Sequence, residues 1–406
     1  MGSEMCIRDR FCLDEGEGLR QFAEWCAAQA SESEHHGAPK HAGRDPQELV
    51  QFHMWLQFIA DEQRRVAQER AVAAGMRLGI MTDLAVGIHP GGADAATLHE
   101  VLVPDASVGA PPDQYSQQGQ DWSQPPWNPQ KLAEAGYGPW RDLLRTVLRH
   151  SGGIRVDHVL GLFRLFWLPR MDTPMHGAYM NYDFEAMVGV LVLEAQRAGA
   201  VVVGEDLGTF EPWVQDVLRD KGILGTSVLW FESVPPEAPR PSQQYRNLAL
   251  TAVGTHDLPP TAGYLEGAHN ALRHKLGLVK ESLEELNATD AVWISQVLAA
   301  AQAEGAFDNS PLADVDFLDR DLGEYDDVDT LVEGLTRFIA STPSAMTCTN
   351  LVDMVGDTRI QNQPGTNREM YPNWCIPLCD ASGTPVLIED LPDVALFQRI
   401  AAASAR

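Results

Sequence analysis

One pattern constrains this chain more than any other. A short apolar run ends on an acidic or polar residue, and a loop and a helical stretch follow. The runs occupy residues 78–86, 153–157, 200–205, 226–231, 248–255 and 345–352, with helical stretches such as 183–198 and 211–221 between them. Nearly continuous Val/Ile/Leu strands alternating with helices predict a parallel sheet buried on both faces.

An open nucleotide-binding sheet would carry a glycine-rich turn after its first strand, and neither G-x-G-x-x-G nor G-x-x-x-x-G-K-[ST] occurs. Instead Asp83, Asp157, Glu205 and Asp257 sit at the C-terminal ends of different strands. That distribution is what the active site of a (β/α)8 TIM barrel requires. Six strands are legible where eight are needed, so the expected α/β fold is an incomplete barrel. Residues 101–140, rich in Pro, Gln and aromatics (Tyr115, Trp122, Trp127, Tyr137, Trp140), read as a long lid-like loop. Residues 265–342 read as an acidic helical insertion before the last strand.

The start of the chain reads differently. Residues 1–10 show no periodicity and are expected to be a leader foreign to the native protein. Residues 31–41 read as an exposed polar loop, its His35, His36 and His41 solvated rather than metal-bound. At Asp45-Pro46-Gln47-Glu48 an N-cap, a helix-starting proline and a capping-box glutamate predict a helix running to about residue 75. Residues 1–44 are therefore set apart from a catalytic portion over 45–406.

With 30 Lys+Arg against 57 Asp+Glu, the net charge is −27. Nucleic acid and anionic membrane both call for basic patches, so neither is an expected partner. No apolar run of about 18 residues or secretory pattern occurs. The cysteines, Cys6, Cys12, Cys26, Cys348, Cys375 and Cys379, are too few for a disulfide scaffold, and Cys375 and Cys379 lack the companions of a zinc site. These features predict a cytoplasmic protein with no metal.

Three stretches carry chemistry. In 151–169, SGGIRVDHVLGLFRLFWLP, strand alternation turns Arg155 and Asp157 to one face, where the guanidinium can keep the carboxylate ionised. A structural ion pair or helix cap is the plain alternative. In 200–208, AVVVGEDLG, an apolar run delivers Glu205 and Asp206 to a strand end. A partly desolvated glutamate there has a raised pKa and suits a general acid, while Asp206 is expected to cap the next helix. In 253–264, VGTHDLPPTAGY, His256-Asp257 has neither the nucleophile elbow of a triad nor the i+4 histidine of a metal site, and suits hydroxyl binding.

IRVDHVLGLFRLFW, VVGEDLG, GTHDLPPTAGY and the loop VGAPPDQYSQQGQDW resemble, in order, signature stretches of the 4-α-glucanotransferases (amylomaltases) of the α-amylase clan. The resemblance runs from about Asp45 to Leu378, and MTDLAVGIHPGGADA is similar to the actinobacterial type. It implies Asp157 as nucleophile, Glu205 as general acid/base and Asp257 as transition-state stabiliser. Arg155 would orient Asp157, and His158 would position it from behind. His256 would contact the donor sugar, and Tyr115 and Gln120 the bound glucan. Trp122 and Trp127 are lid aromatics that either touch ligand or pack in the core, and Asp83 takes a supporting polar role. The resemblance in 350–374 implies that Asn362, Pro364 and Gly365 line the cleft. The legible strands would be the third to eighth, which implies an N-terminally truncated member with an open barrel edge.

The implied reaction transfers α-1,4-glucan segments between malto-oligosaccharides, with glucose or a malto-oligosaccharide as acceptor and no cofactor. Retention through a covalent intermediate needs paired carboxyl groups about 5–5.5 Å apart, and neighbouring barrel strands can supply them. A hydrolase of the same clan and an inactive glucan-binding barrel are the competing readings.

Overall fold

The computed structural model describes residues 2–32, 44–112, 118–318 and 320–405. The chain forms two compact units, Met1–Ile223 and Leu224–Arg406. Among the described residues no helix is long and apolar enough to cross a membrane.

In chain order the strands of the first unit are β1 (Met81–Leu84), β2 (Ala106–Ala110), β3 (Gln120–Gln124), β4 (Gly153–Val156), β5 (Arg164–Pro169), β6 (Ala178–Asn181) and β7 (Val201–Gly204). Its helices are α1 (Gly2–Glu32), α2 (Pro46–Ala73), α3 (Ala93–Thr97), α4 (Pro129–Glu134), α5 (Gly138–Leu148), α6 (Phe184–Ala198) and α7 (Pro212–Asp220). β1, β4 and β7 form a parallel sheet with β4 in the centre, in the register Asp83↔Arg155↔Val203. Alternation sends Leu84, Ile154, Val156 and Val202 to one face, where they share a core with α5 and α6. α5 offers Trp140, Leu144 and Leu148, spaced four apart, as a single buried stripe. α6 starts at the expected place because the Asp183 carboxylate caps the Ala186 N–H at 3.1 Å.

The 101–140 segment departs from the expected loop. It contains β2, β3 and α4, and its strands join β5 and β6 in a four-stranded antiparallel sheet of order β3-β2-β5-β6. β3 pairs with β2 inside the segment, but β2 takes its other ladder from β5, later in sequence, a partner that composition does not reveal.

The N-terminal region is a second correction. Residues 2–32 are helical, with a break at Gly16 (φ 58°), rather than a shapeless leader. Ala23 and Ala27 of α1 pack on Leu49 and Val50 of α2. A stripe of alanines gives a weak apolar signal, and only the facing helix makes it a core. His35, His36 and His41 of the expected polar loop lie outside the described residues. α2 begins as expected, with Pro46 in its first turn. The Asp45 carboxylate accepts from the Gln47 N–H at 3.0 Å, so the cap is a short Asx-type contact rather than a capping box.

The second unit contains β8 (Gly225–Val228), β9 (Ser233–Val234), β10 (Ala238–Pro239), β11 (Ala249–Ala252) and β12 (Met346–Cys348). β8, β11 and β12 form a parallel sheet with β11 central. Its helices are α8 (Thr261–Leu265), α9 (Ala268–Lys275), α10 (Leu283–Ala303), α11 (Val328–Ala340), α12 (Leu351–Val355) and α13 (Ala395–Ala403). The last expected strand is shorter than its apolar run, because residues from Leu351 onward wind into α12.

Leu191 is fully buried (0% exposed) between α6 and the sheet, whereas Leu193, two positions on, is 43% exposed. Leu191→Ala is expected to cost about 3 kcal/mol in urea denaturation, and Leu193→Ala less than about 0.5 kcal/mol.

Candidate active site

In the first unit, the β1-β4-β7 sheet brings candidate site residues together. Pairing continues one residue past the strands: the Asp157 N–H donates to the Leu84 carbonyl and the Glu205 N–H to the Val156 carbonyl, both at 2.9 Å. Asp157 and Glu205 are therefore side by side on neighbouring strands, which lie about 4.8 Å apart in any sheet. Both lie on the face opposite the α5–α6 core, the face that also carries Asp83, Arg155 and Val203.

Arg155 bridges two carboxylates. Its Nη1 lies 2.8 and 3.0 Å from the two Asp83 oxygens, and its Nη2 lies 2.9 Å from Asp157 Oδ1. Two anchors fix the guanidinium plane, so Asp157 meets a donor of set direction. Asp83 is thus part of the array through its bond to Arg155, a pairing across strands that the sequence does not announce.

Glu205 sits in a backbone clasp. Its Oε2 accepts from the His158 N–H at 2.9 Å and its Oε1 from the Leu207 N–H at 2.6 Å. Burial nevertheless pushes its pKa up to about 7, with the Asp157 charge adding to the rise and the two N–H groups and Arg155 opposing it. The clasp depends on two local features. His158 adopts a left-handed conformation (φ 45°), which starts the turn after β4. Gly204 carries no side chain, and a Cβ there would come within 2.8 Å of Val159.

The His158 N–H grips Glu205, and its half-buried imidazole packs edge-on to Trp122 at 5.5 Å between ring centroids. Burial lowers its pKa to about 4, so the ring is neutral at pH 7. Trp122 donates its indole N–H to Gln120 Oε1 at 3.1 Å and packs, like Trp127, against the main core. Trp127, Asp157 and His158 also border a cavity of about 40 Å³. Tyr115 lies outside the described residues. Asp206 is no helix cap: α7 starts after Glu211, and the buried Asp206 carboxylate accepts from the Gln215 side chain at 3.0 Å.

In the second unit, His256 and Asp257 follow β11. His256 Nε2 lies 3.3 Å from Asp257 Oδ2, and Asn362 Nδ2 donates to Asp257 Oδ1 at 3.2 Å. Asp257 is half exposed. Among the described residues no three His, Cys, Asp or Glu side chains are grouped as metal ligands.

The raised pKa of Glu205 has a consequence for stability. Between the ordinary glutamate value of 4.5 and about 7, the folded chain holds a proton that the unfolded chain has lost, so stability falls as pH rises through this window. Glu205→Gln removes the titration. Its denaturation midpoint relative to the parent is expected to move upward from pH 5 to pH 7.5, and a constant difference would contradict the assignment.

Residues 9–381 match the family described as 4-alpha-glucanotransferase. The 4-alpha-glucanotransferase of Mycobacterium tuberculosis (strain H37Rv) is 47% identical over 402 residues, 94% of this chain and 53% of the relative. That of Haemophilus influenzae is 33% identical over 328 residues, 81% of this chain and 46% of the relative. The crystal structure of amylomaltase from Corynebacterium glutamicum matches with a TM-score of 0.93 at 57% identity, covering 100% of this chain and 57% of that one. An amylomaltase from Streptococcus agalactiae in complex with acarbose matches in fold, with a TM-score of 0.70 at 18% identity over 99% of this chain and 75% of that one. The chain spans about half the length of the curated relatives it matches. The family match begins at residue 9, well before Asp45, and takes in most of α1. By the extent of that match and of these identities, the chain belongs to the 4-alpha-glucanotransferase family.

Proposed function

We propose that this chain carries the catalytic carboxylates of a 4-α-glucanotransferase and moves α-1,4-glucan segments between malto-oligosaccharides with retention. One observation carries the reading: a glutamate held near pKa 7 stands in register beside an arginine-anchored aspartate. Those are the two environments that an acid/base and a nucleophile need.

In the first step an Asp157 oxygen attacks the anomeric carbon as Glu205 gives its proton to the departing glycosidic oxygen, leaving a glycosyl ester on Asp157. In the second step Glu205, now a carboxylate, takes the proton from the acceptor 4-hydroxyl, which attacks the same carbon and frees Asp157. Asp257 stabilises the positive charge that develops on the sugar in the transition state of each step. Arg155 orients Asp157, and the His158 N–H holds Glu205. His256, Gln120, Trp122 and Tyr115 contact sugar. The 101–140 segment acts as the lid that favours sugar over water as acceptor.

The six parallel strands β1, β4, β7, β8, β11 and β12 are read as staves of a (β/α)8 barrel, within a catalytic portion over 45–406 whose helical insertion spans 265–342. Donor is an α-1,4-glucan and acceptor glucose or a malto-oligosaccharide, with no cofactor, in the cytoplasm. Hydrolysis is the second reading, since water can take the acceptor's place.

Incubation of the purified chain with maltotriose is expected to yield glucose together with longer oligosaccharides; glucose and maltose alone would assign hydrolysis, and no products would refute the activity. Asp157→Asn and Glu205→Gln are each expected to lower kcat/KM at least about 1000-fold. A slow fluorinated glucosyl donor is expected to label Asp157 in peptide mass spectra, and a label elsewhere overturns the nucleophile. The rate profile is expected to fall as pH rises through about 7, where Glu205 loses its proton.

A further inference from the structure

Trp374 is 57% exposed, an unusual position for the side chain with the most apolar surface to hide. The backbone holds it there. Trp374 adopts a left-handed conformation (φ 60°), and its N–H donates to the Gln361 carbonyl at 2.9 Å. The neighbouring Asn373 is tied at both ends of its amide: Oδ1 accepts from the Gln363 N–H at 2.8 Å, and Nδ2 donates to Thr366 Oγ1 at 2.8 Å. Tyr371 adds a hydroxyl bond to the Ile360 carbonyl at 2.6 Å. The loop is thus cross-braced from within. A tryptophan in this backbone region costs about 1 kcal/mol, and ring burial does not offset it.

The indole stands beside His256, with ring centroids 5.7 Å apart and planes inclined by 56°. His256 in turn lies 3.3 Å from Asp257, which also accepts from Asn362 at 3.2 Å. A flat apolar face therefore adjoins a carboxylate, an imidazole and an amide. A pyranose has matching surfaces, with an apolar C–H face and a rim of equatorial hydroxyls. Neither half alone is selective: an apolar ligand gains nothing from the carboxylate, and a small polar one gains little from the indole.

We infer that Trp374 is a stacking platform for one glucose ring of the glucan, beside the polar group of His256, Asp257 and Asn362 already assigned to the glucan. The inference rests on the proposed glucan substrate and deepens it. The platform contributes to affinity in ground state and transition state alike, so its loss raises KM and leaves kcat nearly unchanged.

Two arms test it on the full chain. In turnover of maltotriose, Trp374→Ala is expected to raise KM about tenfold with kcat within about twofold, and Trp374→Phe, which keeps a smaller ring, about threefold. In calorimetric titration of maltotetraose into Asp157→Asn, adding Trp374→Ala is expected to weaken binding by the same factor. An unchanged KM and affinity, or a fall confined to kcat, overturns the platform. If Trp374→Ala fails to fold by circular dichroism, Trp374→Phe alone decides by the same criteria. Failure of the parent chain to make longer oligosaccharides counts against the transfer reaction only, because the binding arm judges the platform without turnover.

Discussion

The parallel pairing of β4 with β7 is the constraint on which the candidate site depends. Its register puts Val156 beside Gly204, so the next residues, Asp157 and Glu205, emerge together. A slip of one residue would turn one of the two carboxylates into the apolar layer beneath α5 and α6. The packing of Ile154, Val156 and Val202 in that layer is what forbids the slip. The core on one face of the sheet thereby fixes the chemistry on the other.

On that frame the two carboxylates are given different surroundings. Asp157 faces a guanidinium that Asp83 holds from the other side. Glu205 is more deeply placed, and two peptide N–H groups grip it without overcoming the cost of burying its charge. One carboxylate suits attack and the other suits proton transfer near neutral pH, although their covalent chemistry is almost identical. The distinction comes from dielectric and partners.

Much of this was legible in the residues. The apolar runs ending at Asp83, Asp157, Glu205 and beyond gave the parallel α/β arrangement, and Arg155-x-Asp157 placed guanidinium and carboxylate on one face. The misreadings share a cause. β3 pairs with β2, and β2 pairs in turn with β5, which lies far along the chain, so residues 101–140 looked like loop. α1 hides an alanine stripe whose meaning depends on α2. Asp206 looked like a cap because its partner, Gln215, lies within the following helix rather than at its start.

By itself the sequence determined which residue types stand at each strand end and which face of each strand is apolar, since period-two alternation is a local property of the backbone. Only the tertiary structure decided that Asp83 shares Arg155 with Asp157, that the His158 peptide serves Glu205, and that Trp374 stands exposed beside His256. Those facts depend on distances between segments far apart along the chain. Such distances follow from how side chains fill space between packed elements, which no local pattern encodes.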